Sequence, residues 1–207
     1  MNTSAPTPRF LPLPWALLPY VGTGIGVYLL DQGLVAVGIY HLGIAAAWVG
    51  CRFPPRKVFR GMRWAALCGL GALCLLTWPL LWALWPHMAR PGVELPALLD
   101  GWGMTGNTAW VFALYAVTLH PVLEESFWRG MLPDHLWSDA LFAGFHLWVL
   151  APLIHALWLP PVFLVLLVAS AIWRHFARES QGLLVPILTH ALADLGVVLA
   201  VRALVAG

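Results

Sequence analysis

Glu124 and Glu125 stand side by side in the run His120–Gly130, which reads HPVLEESFWRG and lies within an otherwise apolar segment. His120 precedes the first carboxylate by four residues, and Arg129 follows the second by four. Positions four apart on a helix share a face, so Glu124 aligns with His120 and Trp128, and Glu125 aligns with Arg129. Adjacent residues point about 100° apart, so one carboxylate can face a cavity while the other is held by the arginine. A carboxylate facing water can act as general base. Beside histidines, the same groups would also serve a metal centre or a proton relay.

Two further groups of the same kind follow. His146 lies in the apolar run FAGFHLWVL, and His190 and Asp194 lie four residues apart in HALAD. Ser126 beside the carboxylates has no GxSxG around it and reads as a packing residue. His41, His87, His135 and His175 read as loop, interface or packing residues, and His155 as an interfacial one. Cys51, Cys68 and Cys74 lack a CxxC spacing, and the last two read as small buried hydrophobes without a disulfide or metal.

The elements that must position these groups are membrane helices. The chain is 61% hydrophobic and only 10% charged, where a soluble domain has about a quarter of its residues charged. Tryptophan and tyrosine gather near the ends of the apolar runs, as rings anchored at the headgroups do. A net charge of +2, concentrated in one loop, suits a lipid surface and gives no reason to expect nucleic acid. The proline-rich residues 1–13 read as a short tail ahead of one transmembrane domain over residues 1–207.

A span needs roughly 20 mainly apolar residues. The sequence predicts an all-α protein with about seven transmembrane helices around a polar cavity: Trp15–Leu30, Gly33–Cys51, Trp64–Trp85, Asn107–Leu132, Ser138–Leu157, Pro161–Phe176 and Leu183–Leu204. Residues 107–204 carry the polar motifs. Pro79 should kink the third helix, and Pro121 should bend the fourth one turn before the carboxylates. A short interfacial helix is expected at Glu94–Leu99 in the loop 87–106.

The loop with Arg52, Arg56, Lys57, Arg60 and Arg63 reads as cytoplasmic, which puts the N-terminus inside as well. Arg9, Arg174 and Arg178 then join the cytoplasmic cations, against Arg90 and Arg202 outside. With a rise of about 1.5 Å per residue, Glu124, His146, His190 and Asp194 all come to a depth on the order of 10 Å below the cytoplasmic surface.

These residues resemble a known family. Glu124-Glu125-Ser126-Phe127-Trp128-Arg129 is similar to its EExxxR motif, Phe142-Ala143-Gly144-Phe145-His146 to FxxxH, and His190-Ala191-Leu192-Ala193-Asp194 to HxxxN, with aspartate in the asparagine position. The family is CPBP, the CaaX-protease and bacteriocin-processing intramembrane proteases. The resemblance implies a helical fold around a water-filled cavity and hydrolysis of a peptide bond in a membrane-anchored or lipidated substrate. Some bacterial members process sorting tags or bacteriocin leaders, so a bacterial inner (plasma) membrane is the expected location.

In this reading Glu124 is the general base and His146 holds the same water. His190 donates to the oxyanion. Asp194, which when ionised has no hydrogen to donate, orients His190 and keeps it protonated. Glu125, Arg129, His120 and Phe142 complete the site, with Arg129, His120 and Phe142 as support and Phe145 on the cavity wall. The absence of HExxH puts metal-free catalysis first, without a cofactor; a zinc ion, were it the agent, would take His146, His190, Glu124 and Asp194. Two other readings of the same groups are a non-catalytic immunity or scaffold protein and a proton-coupled transporter, the latter without the internal repeats expected of one.

Overall fold

A computed structural model of the chain describes residues 11–206. Residues 1–10 of the expected tail, Arg9 among them, lie outside the described residues. Helices make up nearly all of the described chain, and its one extended pairing is an isolated bridge between Ala89 and Ile154. The protein is a polytopic all-α integral membrane protein. By length and apolarity, Gly33–Cys51, Trp64–Met88, Ala156–Ser180 and Leu184–Ala206 can each cross a membrane.

The first span has α1 (Leu18–Thr23) at its middle, with a 3₁₀ turn Leu13–Leu17 before it and a π turn Gly24–Leu29 after it. It folds back on α2 (Gly33–Cys51) through Asp31, whose φ of 52° makes the tight turn. The third span consists of α3 (Trp64–Leu75) and α4 (Thr77–Met88), interrupted at Leu76. Pro79 lies in the first turn of α4 and has no N–H for the carbonyl of Leu75, so the expected kink is a break between two helices.

α5 (Leu95–Gly101) is the short helix of the following loop. α6 (Gly106–Glu125) continues through Pro121 into a π-helical turn, Ser126–Met131, that holds the rest of the carboxylate motif. α7 (Leu136–Leu150) stops well short of the expected Leu157. Pro152 cannot donate to the carbonyl of Trp148, which instead accepts the Tyr28 hydroxyl at 2.7 Å. α8 (Leu159–Ser180) opens on Pro160 and Pro161 in its first turn and extends past the expected Phe176. α9 (Leu184–Ala206) closes the chain.

Each of six of these segments packs on the next in a ring: α9 on α6, α6 on α2, α2 on α1, α1 on α7, α7 on α8, and α8 back on α9. The third span lies outside the ring, with α3 and α4 both packed on α9. The expected bundle of seven around a cavity is therefore six around a polar centre and one buttress. Trp110, Val111 and Leu114 of α6, and Leu164, Val165 and Val168 of α8, are exposed and form the lipid-facing surface. Between apolar helices in lipid, close packing replaces the hydrophobic effect. At Gly26 a Cβ would run into the backbone of Ala36 on α2, and at Gly196 of α9 it would sit 3.0 Å from the backbone nitrogen of Trp78.

Cys51, Cys68 and Cys74 are all free thiols. Cys68 is exposed on α3, not buried as its apolar surroundings suggested, because α3 has packing on one side only.

Candidate active site

The carboxylates lie where α6 passes into its π turn, at the centre of the ring. Both are completely withdrawn from the surface. The wider turn keeps the whole motif inside: Ser126, Phe127 and Trp128 are buried, and Leu132 N–H reaches back five residues to the carbonyl of Phe127. Trp128 Nε1 donates to the Tyr40 hydroxyl of α2 at 2.8 Å rather than to Glu124, with which helical spacing had aligned it.

The two glutamates differ in their partners. Glu125 Oε1 accepts Arg129 Nη1 at 3.1 Å and His190 Nδ1 at 2.8 Å. Among the described residues, neither oxygen of Glu124 has a hydrogen-bond partner. Its Oε2 lies 3.8 Å from His120 Nε2 and 3.9 Å from His190 Nε2. The second arm of Arg129, Nη2, donates not to Glu124 but to Ser170 Oγ at 2.7 Å. The ring of Phe142, an expected support residue, lies under the guanidinium of Arg129 at 4.3 Å.

The histidine tautomers follow from the acceptors they meet. The Nδ1–H of His41 must donate to the carbonyl of Val37 at 2.9 Å. For a neutral His41, its Nε2 then accepts Nδ1–H of His120 at 3.0 Å. A neutral His120 then presents a bare Nε2 to Glu124 and, at 3.9 Å, to Oδ2 of Asp194. His190 spends its Nδ1–H on Glu125 and turns Nε2 toward Asp194 Oδ1 at 3.7 Å. The ring of Trp173 on α8 stacks on His190 at 4.6 Å with an interplanar angle of 15°, which fixes its plane.

Carboxylates and imidazoles thus converge on one point from two elements: Glu124 and His120 of α6, and His190 and Asp194 of α9. Such a cluster suits a donor or a cation: water, a substrate N–H, a proton or a metal ion. The ligand atoms of His120, His190 and Asp194 all lie within 4.8 Å of one another, as do those of His41, His120 and Glu124. The chemistry of the first set fits a divalent transition metal, whereas in the second both ring nitrogens of His41 are taken up by Val37 and His120. His146, one of the four residues that the sequence offered to a zinc ion were it the agent, belongs to neither set. On α7 its Nδ1–H donates to the carbonyl of Phe142 at 2.8 Å, leaving Nε2 bare, and its ring packs against Phe142 and Phe145.

Four residues of this centre were missed or misplaced at the level of sequence. His41, read as a loop, interface or packing residue, is buried on α2 and is joined to His120. Arg174, counted among the cytoplasmic cations, is buried inside α8 and bound through Nε to Asp139 Oδ2 at 2.9 Å. Asp139 and Ser170, also buried, carried no motif. Their signal was present: Ser170, Trp173 and Arg174 share one face of α8, and Asp139, Phe142 and His146 share one face of α7. His155 caps the 3₁₀ turn Ala156–Trp158 at an exposed position, as expected of an interfacial residue. His87, His135 and His175 are exposed and away from the centre.

Comparison with known proteins converges on the same region. Residues 106–196, which run from the start of α6 to the middle of α9, match the family model for type II CAAX prenyl endopeptidase Rce1-like proteins. No curated protein and no solved structure matches the chain.

Proposed function

We propose that this chain, whose residues 106–196 belong to the Rce1-like family of type II CAAX prenyl endopeptidases, is an intramembrane endopeptidase that cleaves with a water activated by Glu124. The observation that carries this reading is the contrast between the carboxylates. Glu125 is held by Arg129 and His190, whereas Glu124 is equally buried, has no arginine, and lies 3.9 Å from His190 Nε2.

Glu124 takes a proton from water as the oxygen attacks the scissile carbonyl, and later returns that proton to the leaving amine. The bare Nε2 of His146 holds the same water. The tetrahedral intermediate places an oxyanion near His190, whose Nε2 donates to it when both ring nitrogens carry hydrogen. Glu125 on one side and Asp194 on the other supply the negative charge that such a ring requires. The substrate is a membrane-anchored or lipidated protein or peptide, which reaches the ring of helices from within the bilayer. The exposed cations Arg52, Arg56, Arg60 and Arg63 support a cytoplasmic position for their loop, in a bacterial inner membrane.

The test is cleavage of a membrane-tethered peptide by purified protein in detergent. Glu124→Gln and His146→Ala should each abolish or strongly reduce turnover of folded enzyme. Cleavage unchanged by Glu124→Gln would end this mechanism.

One observation favours a second reading. His120, with its tautomer set through His41, joins His190 and Asp194 in a ready ligand set. A metal ion held there would polarise the scissile carbonyl or acidify a water. The assay with and without chelator separates the readings. Activity that survives exhaustive chelation supports glutamate catalysis, and activity lost and then restored by zinc supports the metal.

A further inference from the structure

Beyond the motif residues, we propose that Ser170 and Asp139 are positioning residues that set His190 through a buried chain of hydrogen bonds; this rests on His190 acting as the oxyanion donor. The chain starts at Asp139 of α7. Its Oδ1 accepts Ser170 Oγ of α8 at 2.6 Å. Ser170 Oγ accepts Arg129 Nη2 at 2.7 Å, Arg129 Nη1 donates to Glu125 Oε1 at 3.1 Å, and the same oxygen accepts His190 Nδ1 at 2.8 Å. Every side chain in it is buried.

The direction of each bond is forced. A guanidinium has donors only, so Ser170 must accept from Arg129 and has its single proton left for Asp139. Asp139, in turn, is fixed by Arg174 Nε at 2.9 and 3.0 Å from its two oxygens. Arg174 also reaches Asp134 at 3.3 Å, and Arg178 reaches the other oxygen of Asp134 at 3.1 Å. The network therefore runs from the exposed Asp134, beside a cavity of about 240 Å³, to the centre of the ring.

Charge accounting explains why it has this form. Arg129, Arg174 and Arg178 are matched by Glu125, Asp139 and Asp134, so none is left over for Glu124. Ser170, a neutral group, joins the two halves without adding a charge. Arg129 is then held from two sides, by Ser170 and Glu125, and cannot swing to Glu124 without breaking both bonds. Loss of the Ser170 hydroxyl would free one arm of Arg129 to turn toward the base, and would loosen Glu125 and His190 together.

The experiment uses full-length protein with a membrane-tethered peptide, comparing wild type, Ser170→Ala, Ser170→Thr and Glu124→Gln, with rates referred to the folded fraction. Ser170→Ala should lower kcat by about tenfold or more with KM within about twofold, as expected when catalytic groups shift by a fraction of an ångström. Ser170→Thr, which keeps the hydroxyl, should restore most of kcat. A purely structural serine would change the yield of folded protein and its melting temperature and leave kcat per folded molecule alone, and that result would overturn the proposal. Should Ser170→Ala fail to fold, Asp139→Asn, which removes the charged acceptor but keeps the shape, is read in the same way. The Glu124→Gln control is separate: activity there defeats glutamate catalysis, whereas an unaffected Ser170→Ala defeats only the positioning chain.

Discussion

Arg129 lies 3.1 Å from Glu125 with both side chains completely withdrawn from the surface, one helical turn apart across the junction of α6 and its π turn. Removing one member of such a pair leaves an uncompensated charge in the interior. Arg129→Ala should destabilise the protein by about 3–5 kcal/mol. The double variant Glu125→Gln/Arg129→Ala should recover much of that loss. Thermal unfolding in one detergent, run as a double-mutant cycle, measures both; additive losses would show that the pair is not coupled.

Glu124 is the sharper test of chemistry because it has no hydrogen bond to lose among the described residues. Glu124→Gln keeps the shape and should leave the melting temperature equal to wild type or above it. Turnover should fall by a factor on the order of 10² to 10⁴, the usual contribution of a general base. Initial rates on a membrane-tethered peptide, set beside the melting curve, give both numbers.

Asp194 stands 3.7 Å from His190 Nε2 and 3.9 Å from His120 Nε2. If its charge holds a proton on His190, Asp194→Asn should lower kcat by about tenfold, equivalent to about 1.4 kcal/mol at the transition state. KM should change little. An Asn variant as active as wild type would show that the amide serves equally and that the charge has no part in turnover.

Gly26 meets the backbone of Ala36 with no room for a Cβ. Gly26→Leu should force α1 and α2 apart and cost roughly 1–3 kcal/mol, the usual range for overpacking. Since α1 and α2 complete the ring and α2 carries His41, activity should fall with stability. A variant with wild-type melting would show that the hairpin yields without strain.

Much of this protein was legible before any coordinates. The apolar composition required membrane helices, because backbone groups in lipid must be satisfied within the segment. Gly33–Cys51 was bounded correctly because a two-residue turn precedes it and a cluster of cations follows. The pairing of Glu125 with Arg129, and of His190 with Asp194, followed from a spacing of four residues within one helix. The end of α7 was misjudged because the apolar run continues past Pro152, and only the Tyr28 hydroxyl on another helix shows how the freed carbonyl of Trp148 is satisfied.

By itself, the sequence determined the class of structure, the local faces of each helix and the residue types gathered on them, because these depend on periodicity and on the cost of charge in lipid. Tertiary structure decided which faces meet. His41 and His120 are 79 residues apart in the chain and 3.0 Å apart in space. Asp139, Ser170 and Arg129 come from three segments that the ring brings to one point. No spacing rule links positions on different helices; contact between them is set by packing of the whole bundle. That packing also gave the two adjacent glutamates different partners, by placing Arg129 and His190 Nδ1 on Glu125 and His120 and His190 Nε2 beside Glu124.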